Sequence, residues 1–161
     1  MGEGRGGGGG RTPDTQKRGT VTPIRNILVA DKNPHVRKLI CRELQGAGFQ
    51  ARSVSTCREV IQWTESGQWA DLLVIDPELP DFQPGELLDK TVALRPDMIV
   101  IVHAFGEPPQ KAGTTSNAPR YIEKTGNSIP RLVQMVQTIN THRLAAVSSP
   151  APANAPEKKA H

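Results

Sequence analysis

The stretch Asp71-Leu72-Leu73-Val74-Ile75-Asp76-Pro77-Glu78-Leu79-Pro80 sets an unbroken apolar run between two aspartates and follows it with a proline-punctuated turn. Apolar residues without alternation over so short a run read as a strand buried on both faces. Pro77, Pro80 and Pro84 forbid a helix directly after it, so the strand ends in a loop that begins at Asp76. Such a strand needs helices over each face, and the flanking sequence supplies them.

Upstream, Ile24 to Ala30 is a second short apolar run, closed by Asp31. Asn33-Pro34 then reads as a helix cap with proline at the first helical position, and Val36, Leu39, Ile40 and Leu44 keep helical spacing as far as Gly46 and Gly48. Phe49 to Val54 alternates as a strand, and Thr56 with Glu59 forms a capping-box pattern opening a helix through Val60, Ile61 and Trp63. Downstream, Gly85 to Leu94 is helical and Met98 to Val102 is a β-branched run ending at His103. Phe105 to Pro119 is poor helix material, so a helix there is short or missing. Arg120 to Glu123 is a brief strand ending at Lys124, and a last helix capped by Asn127 or Ser128 carries Ile129, Leu132, Val133, Val136 and Ile139.

Strands alternating with helices predict an α/β fold, a doubly wound five-stranded parallel sheet with a weak or missing fourth helix. Composition bounds the domain. Residues 1–22 are dominated by Gly, Arg, Thr and Pro, and residues 145–161 by Ala, Pro and Ser, so both are expected to be disordered tails around a domain at 23–144 with a single core. The net charge of +4 owes much to tail residues such as Arg5, Arg11, Lys17, Arg18, Lys158 and Lys159. With aromatics at 4%, no base-stacking surface is indicated, and a nucleic-acid partner is not expected. No apolar stretch is long enough to span a bilayer, so no membrane partner is expected, and Cys41 and Cys57 read as free thiols in a reducing cytoplasm.

In an open parallel sheet the site lies at the carboxyl ends of the strands, which here brings Asp31, Asp76, His103 and Lys124 to one crevice. Polar residues also gather there simply because the sheet meets water. Asp31 and Asp76 stand 45 positions apart, and Asp76 and Lys124 stand 48 apart. These anchors, the Asp76-Pro77-Glu78-Leu79-Pro80 turn, and Tyr121 three positions before Lys124 resemble the response-regulator receiver domains of two-component signalling, over about Ile24 to Arg143.

The resemblance implies a flavodoxin-like fold with Asp76 as phosphoryl acceptor and Lys124 as its charge partner. It also implies Mg²⁺ held by Asp31, Asp76 and more weakly Glu78, and a switch formed by the position of His103 together with Tyr121. The implied partners are a sensor histidine kinase or phosphotransfer protein and a downstream protein. The expected role is a stand-alone receiver in phosphorelay signal transduction, not an enzyme; the alternative is a phosphorylation-independent pseudo-receiver serving protein association.

Two positions depart from that family. The usual pair of acids after the first strand is Asp31-Lys32, which replaces a metal-ligating carboxylate by an ammonium and predicts weakened magnesium binding. Lys32 either reaches Asp76 in the metal's stead or points into water. His103 stands where Thr or Ser is usual, as a modified anion contact or as a packed side chain. Trp63 and Trp69 read as covers for the end of the second helix, His35 as a surface residue, and His142 and His161 as lying at or beyond the end of the last helix, with no partner acid or cysteine that suggests a metal. A nucleotide-binding enzyme is disfavoured because Asp31-Lys32-Asn33-Pro34 stands where a glycine-rich phosphate loop belongs.

Overall fold

The computed structural model describes residues 21–107 and 118–149. Residues 1–20 and 150–161, and most of the segment expected to have a short or missing helix (108–117), lie outside the described residues. The elements follow in the order β1 (Asn26–Ala30), α1 (Pro34–Gly46), β2 (Gln50–Val54), α2 (Cys57–Glu65), β3 (Leu72–Ile75), α3 (Pro84–Leu94), β4 (Ile99–Ala104), β5 (Arg120–Glu123) and α4 (Ser128–Ser148). The five strands form one parallel sheet in the order β2-β1-β3-β4-β5, the expected doubly wound arrangement.

The caps explain where the helices begin. The Asn33 side chain accepts from the amides of His35 and Val36, with Pro34 opening α1. Thr56 and Glu59 close a reciprocal capping box on α2. Gly48, at a φ of 94°, turns the chain from α1 into β2 in a conformation that costs other residues more.

Instead of the single core expected, the sheet divides the apolar interior in two. Ile27, Val29, Leu72, Val74 and Ile101 face one way and pack with residues of α1 and α4, including Leu44 and Leu132. Leu28, Leu73, Ile75, Val100 and Val102 face the other and pack with residues of α2 and α3, including Val60 and Leu87. The alternation of a strand makes this division unavoidable once both faces are covered.

Two boundaries differ from the sequence reading. β4 runs on to Ala104, which puts His103 inside the strand. α4 runs to Ser148, so residues 145–148, assigned to the tail by composition, are helical; Leu144, Ala145 and Ala146 are strong helix formers.

At the end of the sheet where the strands begin, buried Asp71 takes the amides of Arg25 and Asn26 on one carboxylate oxygen and the Trp69 indole N–H on the other. The Arg95 guanidinium lies 3.9 Å from the centre of the Trp69 ring. Trp69 therefore braces the approach to β3, while Trp63 packs half-buried against the second cluster.

Leu73 is fully buried in a central strand, whereas Leu39 is 37% exposed on α1. Leu73→Ala is expected to lower unfolding stability by about 2–5 kcal/mol and Leu39→Ala by roughly 1 kcal/mol or less, as read from urea denaturation midpoints.

Candidate functional site

The carboxyl ends of β1, β3 and β5 bring three charged side chains into contact. The Lys124 Nζ lies 3.2 Å from Asp31 Oδ2 and 3.0 Å from Asp76 Oδ2. The remaining oxygens are held by local amides: Asn33 N–H donates to Asp31 Oδ1 and Glu78 N–H to Asp76 Oδ1, each at 2.8 Å. The Asp76 side chain is 0% exposed and that of Lys124 is 11% exposed. Two buried negative charges thus share one ammonium, and the two oxygens facing it lack a well-aligned hydrogen bond. Charge attraction, rather than directed bonding, holds the trio.

Lys32 does not reach Asp76, and about half of its side chain is exposed to water. Its ammonium lies 3.1 Å from Glu78 Oε2 rather than on Asp76. Both side chains are about half exposed (52% and 45%), so the pair itself contributes little, on the order of 0–1 kcal/mol. Its effect is positional, because the Glu78 amide sits on Asp76. The Arg37 guanidinium fixes the loop beneath Lys32 by donating to the carbonyls of Asp31 and Lys32 at 2.7 and 3.1 Å.

His103 is buried, and its Nε2 stands 2.9 Å from the Ser128 hydroxyl at the start of α4. Ser128 therefore closes on the histidine; Asn127, at the N-cap, makes no side-chain cap bond. Burial, and then the positive charge of Lys124, push the imidazole pKa below its ordinary 6.5, while Asp31 and Asp76 pull the other way. The ring packs against the start of α4 through that contact. Tyr121 is half-buried against the second apolar cluster. Phe105, 68% exposed, places its ring centre 5.2 Å from the Lys124 ammonium.

The structure thus brings together Asp31, Asp76 and Lys124, which the sequence placed in one crevice, and sets Lys32 and Glu78 at their rim as a separate pair. It missed Arg37, Phe105 and the Ser128 partner of His103. Nothing at the Asp31–Arg37 spacing marks a loop clamp, and Phe105 is a lone aromatic. Only Asn33, already legible as a cap, hinted at an amide for Asp31.

The residues present do not fit magnesium in the manner the resemblance implies. The Glu78 carboxylate faces Lys32 instead of joining Asp31 and Asp76. The facing oxygens of the two acids are turned to one ammonium, and a second ammonium stands at the rim. Among the described residues no group of three or more His, Cys, Asp or Glu side chains could hold a metal ion. A hard cation would find both carboxylates already turned to one ammonium and a second ammonium at the rim, so positive charge opposes its entry.

No family model matches the chain. A stretch of 80 residues, half of this chain, is 31% identical to the DNA-binding transcriptional regulator NtrC of Bradyrhizobium sp. (strain RP501 Parasponia), and covers 16% of that protein. The chain thus spans about a sixth of that curated relative's length. A CheY-like response regulator receiver domain protein from Methanospirillum hungatei JF-1 superposes with a TM-score of 0.65 at 22% identity, over 76% of this chain and 98% of that one. The Thermotoga maritima response regulator TrrA, solved with Mg²⁺–BeF, superposes at 0.61 with 24% identity, over 72% of this chain and 99% of that one. Solved in complex with the histidine kinase ThkA, it gives 0.55 and 23%, over 70% of this chain and 98% of that one.

The architecture is therefore that of a response-regulator receiver domain, as the sequence resemblance implied. Within that fold, this chain carries the acid–lysine–acid trio with a lysine at position 32. Among the described residues no helix is long and apolar enough to cross a membrane.

Two measurements test these contacts. Lys124→Met is expected to lower stability at neutral pH by about 3–5 kcal/mol, because two buried carboxylates lose their counter-charge, and adding Asp31→Asn should restore part of it. The His103 contribution to stability is complete above pH 6.5 and is lost as pH falls through the depressed folded-state value, since below 6.5 the unfolded chain takes up the proton more readily. His103→Gln should accordingly flatten the decline in unfolding midpoint between about pH 7 and pH 5.

Proposed function

We propose that this chain is a receiver module of cytoplasmic phosphorelay signalling, with Asp76 as phosphoryl acceptor. A sensor histidine kinase or phosphotransfer protein donates to it and a downstream protein reads it; no nucleic acid or membrane takes part. It carries a signal stoichiometrically and is not an enzyme. The observation that supports this most directly is the Lys124 ammonium 3.0 Å from the Asp76 carboxylate at the end of β3.

In the transfer, an Asp76 carboxylate oxygen attacks phosphorus, the phosphorus–nitrogen bond of the donor phosphohistidine breaks, and the leaving imidazole takes up a proton. The Lys124 ammonium offsets charge on the incoming phosphoryl oxygens, and Asp31 holds that ammonium in register. The Asp31-Lys32 pair points to a transfer that depends only weakly on magnesium.

A second reading is favoured by the complete burial of the Asp76 side chain, with both of its oxygens engaged. On that reading the site is permanently closed, and the chain is a pseudo-receiver that works by protein association alone.

Incubating the protein with acetyl phosphate or phosphoramidate, with and without Mg²⁺, and weighing it intact separates the two. Phosphorelay function requires one added phosphoryl group, absent from Asp76→Asn and little changed by Mg²⁺. An unmodified wild type beside a Lys32→Asp variant that does take up the group would decide for the pseudo-receiver.

A further inference from the structure

β5 lies at one edge of the sheet, and α4 leaves beside it a groove of about 630 Å³, a size ordinary for small-molecule sites. Ile99, Ile122, Met135 and Ile139 give it an apolar floor, and no Phe, Tyr or Trp lines it. Arg120, Arg131, His142 and Arg143 also line it, and no Asp or Glu does. Among the described residues, none of the three arginines has a carboxylate at ion-pair distance. Arg143, half-buried, is the one the fold positions: its terminal nitrogens donate to the backbone carbonyls of Thr22 and Asp97, at 3.2 and 3.1 Å. Those bonds fix the guanidinium without cancelling its charge, and a guanidinium carries more N–H donors than two carbonyls take up.

The lining positions on α4 recur every three or four residues from Arg131 to Ala146, so the groove follows the helix for about four turns, some 22 Å. Spread over that length, the volume leaves a cross-section on the order of 30 Å². An α-helix, about 10–12 Å across with its side chains, is too wide to enter it; a single extended alkyl chain is not. With no Phe, Tyr or Trp in its lining, the groove offers a nucleobase nothing to stack on. An apolar thread with an anion at one end suits both the floor and the arginines. Its chain displaces water from the isoleucines and Met135, and a planar carboxylate meets the guanidinium fork.

We propose that this groove binds the anion of a fatty acid, its alkyl chain along α4 and its carboxylate at Arg143. Residues 1–20 carry four basic and two acidic side chains, so that segment brings the wrong charge to it. A two-fold pairing of copies through the groove would set arginines against arginines, which opposes self-association. None of Asp31, Asp76 and Lys124 lines the groove, so the proposal stands apart from phosphoryl transfer.

The test titrates the full chain with dodecanoate held below its micelle-forming concentration. Acetate, which lacks the chain, and dodecyltrimethylammonium, which reverses the charge, are run beside it. Dodecanoate is expected to bind saturably and far more tightly than either, and to shift the amide resonances of Ile122, Met135 and Ile139. Arg143→Gln should lower its affinity about tenfold or more. Because Arg143 also ties down Thr22 and Asp97, a second variant, Thr138→Glu, sets a like charge in the groove from an exposed helix position. It should weaken dodecanoate by a similar factor with the circular dichroism spectrum unchanged. Absence of saturable binding, equal affinity for the cationic amphiphile, binding that begins only with micelles, or shifts confined to other surfaces would overturn the proposal. So would an acidic helical peptide or anionic vesicles whose binding both variants abolish while monomeric dodecanoate does not bind.

Discussion

An ammonium held between two buried carboxylates is the constraint around which this end of the molecule is arranged. Asp31 closes β1, Asp76 closes β3 and Lys124 closes β5, so the lysine must cross the end of β4 to reach either acid. The Lys124 backbone N–H donates to the Ala104 carbonyl at 2.7 Å, which anchors its main chain beside that strand. The trio keeps a net negative charge in a place with little water. Two backbone amides from the following loops turn toward it, from Asn33 and Glu78, and supply the dipoles that a solvated carboxylate would draw from solvent.

Much of the architecture was legible because its signals are local. An unbroken β-branched run, a cap followed by proline and a capping box each depend on neighbours a few residues away, and β1, α1, α2 and β5 follow them closely. The acid–lysine trio was legible because strand ends in a doubly wound sheet converge. The contacts left unread are those made by the far ends of long or distant side chains. Lys32 has four rotatable bonds, and what fixes its ammonium is Glu78, on a loop 46 positions away. His103 and Ser128, 25 positions apart, meet only because β4 runs past the point where its apolar run ends.

At 22–24% identity to solved receivers the sheet order and helix layers persist, because many hydrophobic combinations fill the same two cores. The altered chemistry is concentrated in single charges. A cation at position 32 changes the electrostatics of the crevice without any cost to the sheet, since its side chain lies outside both cores.

Asp81 ties the loop after β3 to another element. Its carboxylate accepts the amides of Cys57 and Arg58, the first two residues of α2. Since those amides have no partner within their own helix, the loop that begins at Asp76 also serves as the mooring of α2. Displacing that loop would pull on the helix, so a disturbance at the acid is felt as a loosened first turn of α2, with no contact between the two.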